Sequence, residues 1–185
     1  AIGLVLWSRR LAELYGDRRF GDVMERALYN GVLSGVSLDG ERYFYVNPLA
    51  SAGAHHRQDW FGCACCPPNL ARLIAGLGHC AYSEGAEAWV HLYAAGEAEL
   101  EAGGARLRLR VYTDYPWDGR VEIEVDPDRD GAEGVLNLRL PGWCERADLR
   151  VGAQRCDGAV ADAAGGSGYI RLERAWRRGD VVDLA

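Results

Sequence analysis

The sequence predicts an α+β chain, with helices leading and an antiparallel β region following, divided near residues 80–87. Two changes of period support this. Apolar residues recur at three- and four-residue spacing through the first third, and alternate with polar ones from about Ala88 onward. The 185 residues are 49% apolar, enough for one ordinary core or two small ones, and show neither an internal repeat nor a low-complexity tract.

The elements follow in order. Leu4, Trp7, Leu11 and Leu14 fall on one face of a first helix, which Gly16-Asp17 ends. Phe20, Val23, Met24, Ala27 and Leu28 mark a second helix reaching Gly31, so the two form a helical hairpin. Asp39-Gly40, flanked by 36–38 and 42–46, signals a tight β-turn. A polar loop from Asn47 to Asp59 leads into Trp60-Phe61-Gly62 and the run Cys63-Ala64-Cys65-Cys66. Pro67 and Pro68 start a third helix through Leu70, Leu73, Ile74 and Leu77, because proline's missing N–H costs nothing in a first turn. Beyond it, 106–111, 121–125 and 136–140 alternate apolar and polar, as strands with one buried and one wet face do.

A net charge of −6 and a pI near 5.2 argue against a nucleic-acid partner. The sequence contains no lysine, which reads as compositional bias before function. No apolar run approaches the roughly 20 residues that cross a bilayer, and no signal segment is visible, so a cytoplasmic location is expected. The chain opens on Ala1 inside a helical pattern and stops on Val181-Val182-Asp183-Leu184, an unfinished strand pattern, so both ends are expected to continue into something larger.

Three of six cysteines lie within four positions. Adjacent cysteines seldom pair, so metal binding or catalysis is the better reading than a disulfide. Thiolates suit zinc, and a thiol before the helix that opens at the prolines sits in positive potential that favours its ionised form. The alternatives are a purely structural metal site or unliganded buried cysteines. His55 and His56 are candidates to complete a zinc site from the preceding loop. Cys80, Cys144 and Cys156 read as ordinary buried residues. Taken alone, Glu25 reads as a solvated helix carboxylate and Tyr45 as strand packing.

Several segments resemble glycoside hydrolase family 127, the β-L-arabinofuranosidases: Asp22-Val-Met-Glu-Arg-Ala-Leu-Tyr-Asn-Gly31, Ser37-Leu-Asp-Gly40, Tyr43-Phe-Tyr-Val-Asn47, Trp60-Phe-Gly-Cys-Ala-Cys-Cys-Pro-Pro-Asn69, Tyr115-Pro-Trp-Asp-Gly119 and Leu138-Arg-Leu-Pro-Gly-Trp143. The resemblance implies residues 1–83 as the C-terminal helices of an (α/α)6-barrel catalytic domain and 84–185 as part of an antiparallel β-sandwich. It implies Cys65 as nucleophile, Cys65 and Cys66 as zinc ligands, and Glu25 and Tyr45 as sugar contacts. It also implies that the other zinc ligands, in a Glu-Thr-Cys motif, and the acid/base glutamate lie upstream of Ala1, so the 185 residues alone are expected to be inactive. The expected partner is an arabinofuranoside-containing glycan or oligosaccharide, with a homodimer the assembly allowed for. Two other classes stay open: a non-catalytic carbohydrate-binding or structural zinc module, for which Trp89, Trp117, Trp143 and Trp176 are platform candidates though most are expected in the core, and a thiol redox or metal-handling protein in which Cys63 matters as much as Cys65.

Overall fold

The computed structural model describes residues 1–63 and 65–185, residue 162 by its backbone alone, so Ala64 of the cysteine run lies outside the described residues. Helix α1 spans Ile2–Tyr15 and ends on Gly16, whose φ of 58° is the left-handed conformation that favours glycine at a helix end. Helix α2, Arg18–Arg26, is capped by the Asp17 carboxylate accepting from the Arg19 N–H, and widens into a π-helical turn over Ala27–Val32. Helix α3, Cys66–Ala75, begins at the prolines as expected, and a short α4, Gly78–Ala81, follows.

Two expectations for this half change. The buried stripe of α1 is Val5, Ser8 and Ala12, while Leu4, Trp7 and Leu14 stay half or more exposed. The helix is apolar on more than one side, so periodicity alone does not choose the stripe; packing against α2 and α4 does. The hairpin at Asp39-Gly40 reduces to single bridges, Val36 to Tyr43 and Tyr43 to Gln58, with the turn itself closed by Gly40 N–H to the Ser37 carbonyl.

The strands are β1 Tyr82–Ser83, β2 Ala88–Val90, β3 Gly96–Ala102, β4 Ala105–Thr113, β5 Val121–Pro127, β6 Ala132–Arg139, β7 Leu149–Val151, β8 Gln154–Arg155, β9 Tyr169–Trp176 and β10 Asp180–Leu184, with helix α5, Asp157–Gly165, before β9. They form a four-stranded sheet, β1-β2-β6-β9, and a six-stranded one, β3-β4-β5-β10-β7-β8. All pairings are antiparallel except β2 with β6. Leu136, Leu138 and Ile170 from the first sheet meet Leu107, Leu109, Ile123 and Val182 from the second in one buried cluster. On the outer side of β4, Arg106, Arg108 and Arg110 face Glu101, Glu99 and Glu97 of β3, so the exposed surface is an ion-pair ladder.

Strand β6 departs from the expected wet face: Asn137 and Arg139 are as buried as Leu136 and Leu138. For Arg139 the reason is α2, whose Asp22 and Glu25 side chains reach it on the outer face of the four-stranded sheet, while Asn137 donates to the Glu87 carboxylate and the Ala88 carbonyl. A Cβ on Gly21 would stand 2.5 Å from the Arg139 Cδ, so the helix approaches this closely only with glycine there. Among the described residues no helix is long and apolar enough to cross a membrane.

Candidate active site

The cysteine run is positioned by aromatic packing in the preceding loops. Phe61 lies against the rings of both Tyr43 and Tyr45, at centroid distances of 5.2 and 5.5 Å, and Tyr43 also meets the edge of Trp60. This packing carries the Tyr45 hydroxyl to 3.2 Å from the Cys65 Sγ. Cys65 is the residue before the first turn of α3, Cys66 opens the helix, and their sulfurs are 3.8 Å apart. Hydrogen bonding from the Tyr45 hydroxyl, then from Cys66 and Cys63, lowers the Cys65 thiol below its ordinary range. The same contact holds the Tyr45 phenol well above its own range, and desolvation first, then the neighbouring Cys65 thiolate, raises Cys66. Of the adjacent pair, Cys65 is the sulfur poised to ionise.

The pair also fits a metal in part. With Zn–S bonds of about 2.3 Å, two thiolates on a tetrahedral ion stand about 3.8 Å apart, the separation of Cys65 and Cys66. Among the described residues no group of three or more His, Cys, Asp or Glu is placed to hold a metal, so these offer at most half of a four-ligand site. His55 is engaged elsewhere: its Nε2 meets the Val46 carbonyl at 2.8 Å and its ring stacks on Phe44. His56 is exposed.

Glu25 sits in different surroundings. It is 7% exposed, not solvated as its helical position suggests, and its Oε1 accepts from the Tyr115 hydroxyl at 2.7 Å and from Arg139. Arg139, wholly buried, also donates to Asp22 and, through Nε, to the His91 carbonyl. The His91 ring is held between Ser83 and Tyr169 hydroxyls at 2.8 and 2.6 Å, and burial pulls its pKa down to about 4. Glu25 makes no hydrogen bond to Tyr45 or Cys65; it lines an open cleft of about 1020 Å³ with Tyr29, Arg57, Trp117 and Trp143. The structure thus joins Tyr45, Cys65 and Cys66 in one cluster and gives Glu25 to another.

Sequence reasoning missed Arg139, Asp22 and Tyr115, the residues that hold Glu25. Alternation marked Arg139 as solvent-facing; only its place in the Leu-Arg-Leu-Pro-Gly-Trp segment set it apart. The tryptophans also divide differently from expectation. Trp176 is fully buried and Trp89 partly so, but Trp117 is 92% and Trp143 61% exposed.

The sequence models of the β-L-arabinofuranosidase GH127 catalytic domain and GH127 middle domain match residues 1–79 and 87–185. A non-reducing end β-L-arabinofuranosidase from Bifidobacterium longum subsp. longum is 32% identical over 100% of this chain, which spans 29% of that relative's length. A GH127 β-L-arabinofuranosidase from Geobacillus stearothermophilus T6 superposes with a TM-score of 0.87 at 43% identity, over 99% of this chain and 30% of the other. A second solved GH127 β-arabinofuranosidase gives 0.86 at 35% identity, over 99% and 31%. With both family models matched in consecutive order and the fold shared across nearly every residue, the chain belongs to glycoside hydrolase family 127.

Proposed function

We propose that this chain supplies the thiol side of the active site of a zinc-dependent, retaining β-L-arabinofuranosidase, with Cys65 as nucleophile. The observation that carries the reading is the Cys65 sulfur at the start of α3, 3.2 Å from a tyrosine hydroxyl and 3.8 Å from a second thiol. The relatives' descriptions support the sugar. Residues 1–83 would be the closing helices of an (α/α)6-barrel domain and 84–185 part of a β-sandwich, the two sheets around one core supporting the latter.

In this reading the Cys65 thiolate attacks the anomeric carbon, forming a C–S bond as the C–O bond to the leaving alcohol breaks, and the alcohol takes a proton from a general acid. Water then attacks the same carbon, its proton passing back to that group, and the C–S bond breaks to return the thiolate. Two inversions retain configuration, with cysteine in the place of the usual carboxylate. Tyr45, donating to the sulfur, favours the thiolate before attack and again as it leaves. Zinc, when bound by Cys65 and Cys66, keeps both thiols deprotonated and fixed in place. Glu25 and Tyr45 would contact the sugar. The family's acid/base glutamate and remaining ligands are expected upstream of Ala1, so the 185 residues alone are expected to hydrolyse nothing.

Elemental analysis of zinc tests this on the present chain and on a form extended upstream through the Glu-Thr-Cys segment. Stoichiometric zinc in the extended form alone, lost on Cys65→Ala, is the expected result. Tight stoichiometric zinc in the short chain, or turnover of an arabinofuranoside by it, would overturn the split site and favour a self-contained zinc module.

A further inference from the structure

Tyr45 reaches Cys65 from an exposed segment in which only Tyr43 takes part in β-bridges. The Tyr43 N–H and carbonyl pair with the Gln58 carbonyl and N–H at 3.1 and 3.0 Å. This pair closes a compact loop over 44–57, with residues 48–54 at its exposed tip. A hydrogen bond from a phenol to sulfur is weak, and it does not by itself offset the entropy of fixing the backbone on either side of Tyr45. Another contact has to order this stretch.

That contact comes from the returning limb of the loop. The His55 ring stacks on Phe44, with centroids 4.7 Å apart and planes 20° from parallel, and its Nε2 donates to the Val46 carbonyl at 2.8 Å. One imidazole therefore grips both chain neighbours of Tyr45. Arg57 sets its guanidinium 4.5 Å from the centroid of the same Phe44 ring and donates through Nη2 to the Ser34 carbonyl at 2.7 Å. The Phe44 N–H donates to the Gly35 carbonyl at 2.8 Å, and the Asn47 amide to the Ser34 hydroxyl at 3.3 Å. Ser34 and Gly35 end the short turn Leu33–Gly35, so the loop is seated on the helical half of the chain. The Tyr43 and Tyr45 rings meanwhile pack on Phe61, in the limb that runs into the cysteines. A hold on the residues either side of Tyr45 fixes the backbone from which its phenol is aimed.

We propose that His55 is a positioning residue for the thiol chemistry: by holding Phe44 and Val46 it keeps the Tyr45 hydroxyl on the Cys65 sulfur. Arg57 supports it by tying the Phe44 ring to the turn at Ser34. This rests on the glycosidase reading and adds to it a residue that acts through the loop. His55 takes this part in place of the zinc-ligand role that its position before the cysteines suggests.

Kinetics and thiol labelling on the intact protein test this. His55→Ala should lower kcat/KM for an arabinofuranoside about tenfold, with zinc content and the unfolding midpoint unchanged. In the zinc-stripped protein it should slow alkylation of Cys65 by iodoacetamide about as much as Tyr45→Phe does, read at one pH by peptide mass spectrometry. In the Tyr45→Phe background the same substitution should change either rate by less than about twofold, because a residue acting only through the phenol has nothing left to position. Arg57→Met should repeat this pattern with a smaller loss. Losses that multiply in the double variant, or a His55→Ala protein that matches the unaltered one, overturn the proposal. Loss of zinc on His55→Ala also overturns it, by making His55 a ligand. The two readings fail separately. No hydrolysis by the unaltered protein, with the alkylation pattern as expected, removes the glycosidase and keeps the positioning role. Hydrolysis with multiplying losses removes the positioning role and keeps the glycosidase.

Discussion

Around Arg139 the partners come from far along the chain, 117 residues away for Asp22 and 114 for Glu25, whereas Cys65 meets Tyr45 across 20 residues. Arg139 is buried, and Glu25 nearly so; Cys65 and Tyr45 are exposed. The physical constraints differ accordingly. A buried guanidinium must be neutralised and fully hydrogen-bonded, so it dictates where α2 sits on the four-stranded sheet. An exposed thiol has no such obligation, and local packing around Phe61 suffices to aim it while leaving it accessible to ligand or substrate. One region organises the fold, and the other is kept available for chemistry.

Substitutions should separate the two by what they damage. Cys65→Ala in the intact protein should lower turnover of an arabinofuranoside by about 10⁴-fold or more and lower the unfolding midpoint by no more than removal of zinc with a chelator does, read by steady-state kinetics and thermal melts. A stability loss of the size expected at Arg139 would break the comparison. Arg139→Met should destabilise by about 3–5 kcal/mol, because it strands the Glu25 and Asp22 carboxylates beside an apolar side chain. Urea unfolding measures this, and adding Glu25→Gln to that variant should recover part of the loss.

A pH dependence should come from the buried region. His91 titrates near 4 in the folded chain against an ordinary 6.5. The unfolded state therefore takes up its proton first. Its contribution is fully present above about pH 6.5 and is lost as pH falls toward 4, on the order of 3 kcal/mol over that window. Denaturant titrations across that range should show the slope, and His91→Gln should flatten it. The smallest effect belongs to the thiol loop. Tyr45→Phe should leave stability unchanged and, in the metal-free chain, move the onset of Cys65 alkylation to higher pH, because the thiolate loses its hydroxyl donor. An unshifted profile would mean that the Tyr45 hydroxyl does not set the reactivity of Cys65.

Much of the fold was legible because it depends on local pattern. The strands around Leu107, Ile123 and Leu136, the helix opened by Pro67 and Pro68, and the break at Gly16 all lie where period and proline or glycine chemistry put them. The stripe of α1 and the second face of β6 were not legible, because each depends on which neighbour packs there. The same limit applied to the site. The cysteine run announced itself by composition and spacing, but nothing in the spacing of Glu25 or Arg139 said that they would meet, or that Trp117 and Trp143 would remain outside the core.

The sequence by itself determined the α-then-β order, the thiol-rich loop entering a proline-started helix, and, through its extended segments, membership of the family. Tertiary structure alone decided that Glu25 is buried against Arg139 and Tyr115, that Tyr45 reaches Cys65, and that two tryptophan loops close on one helix. Periodicity records how each segment presents its apolar side. The pairing of buried charges and the exposure of large rings are settled only when distant segments compete for the same space.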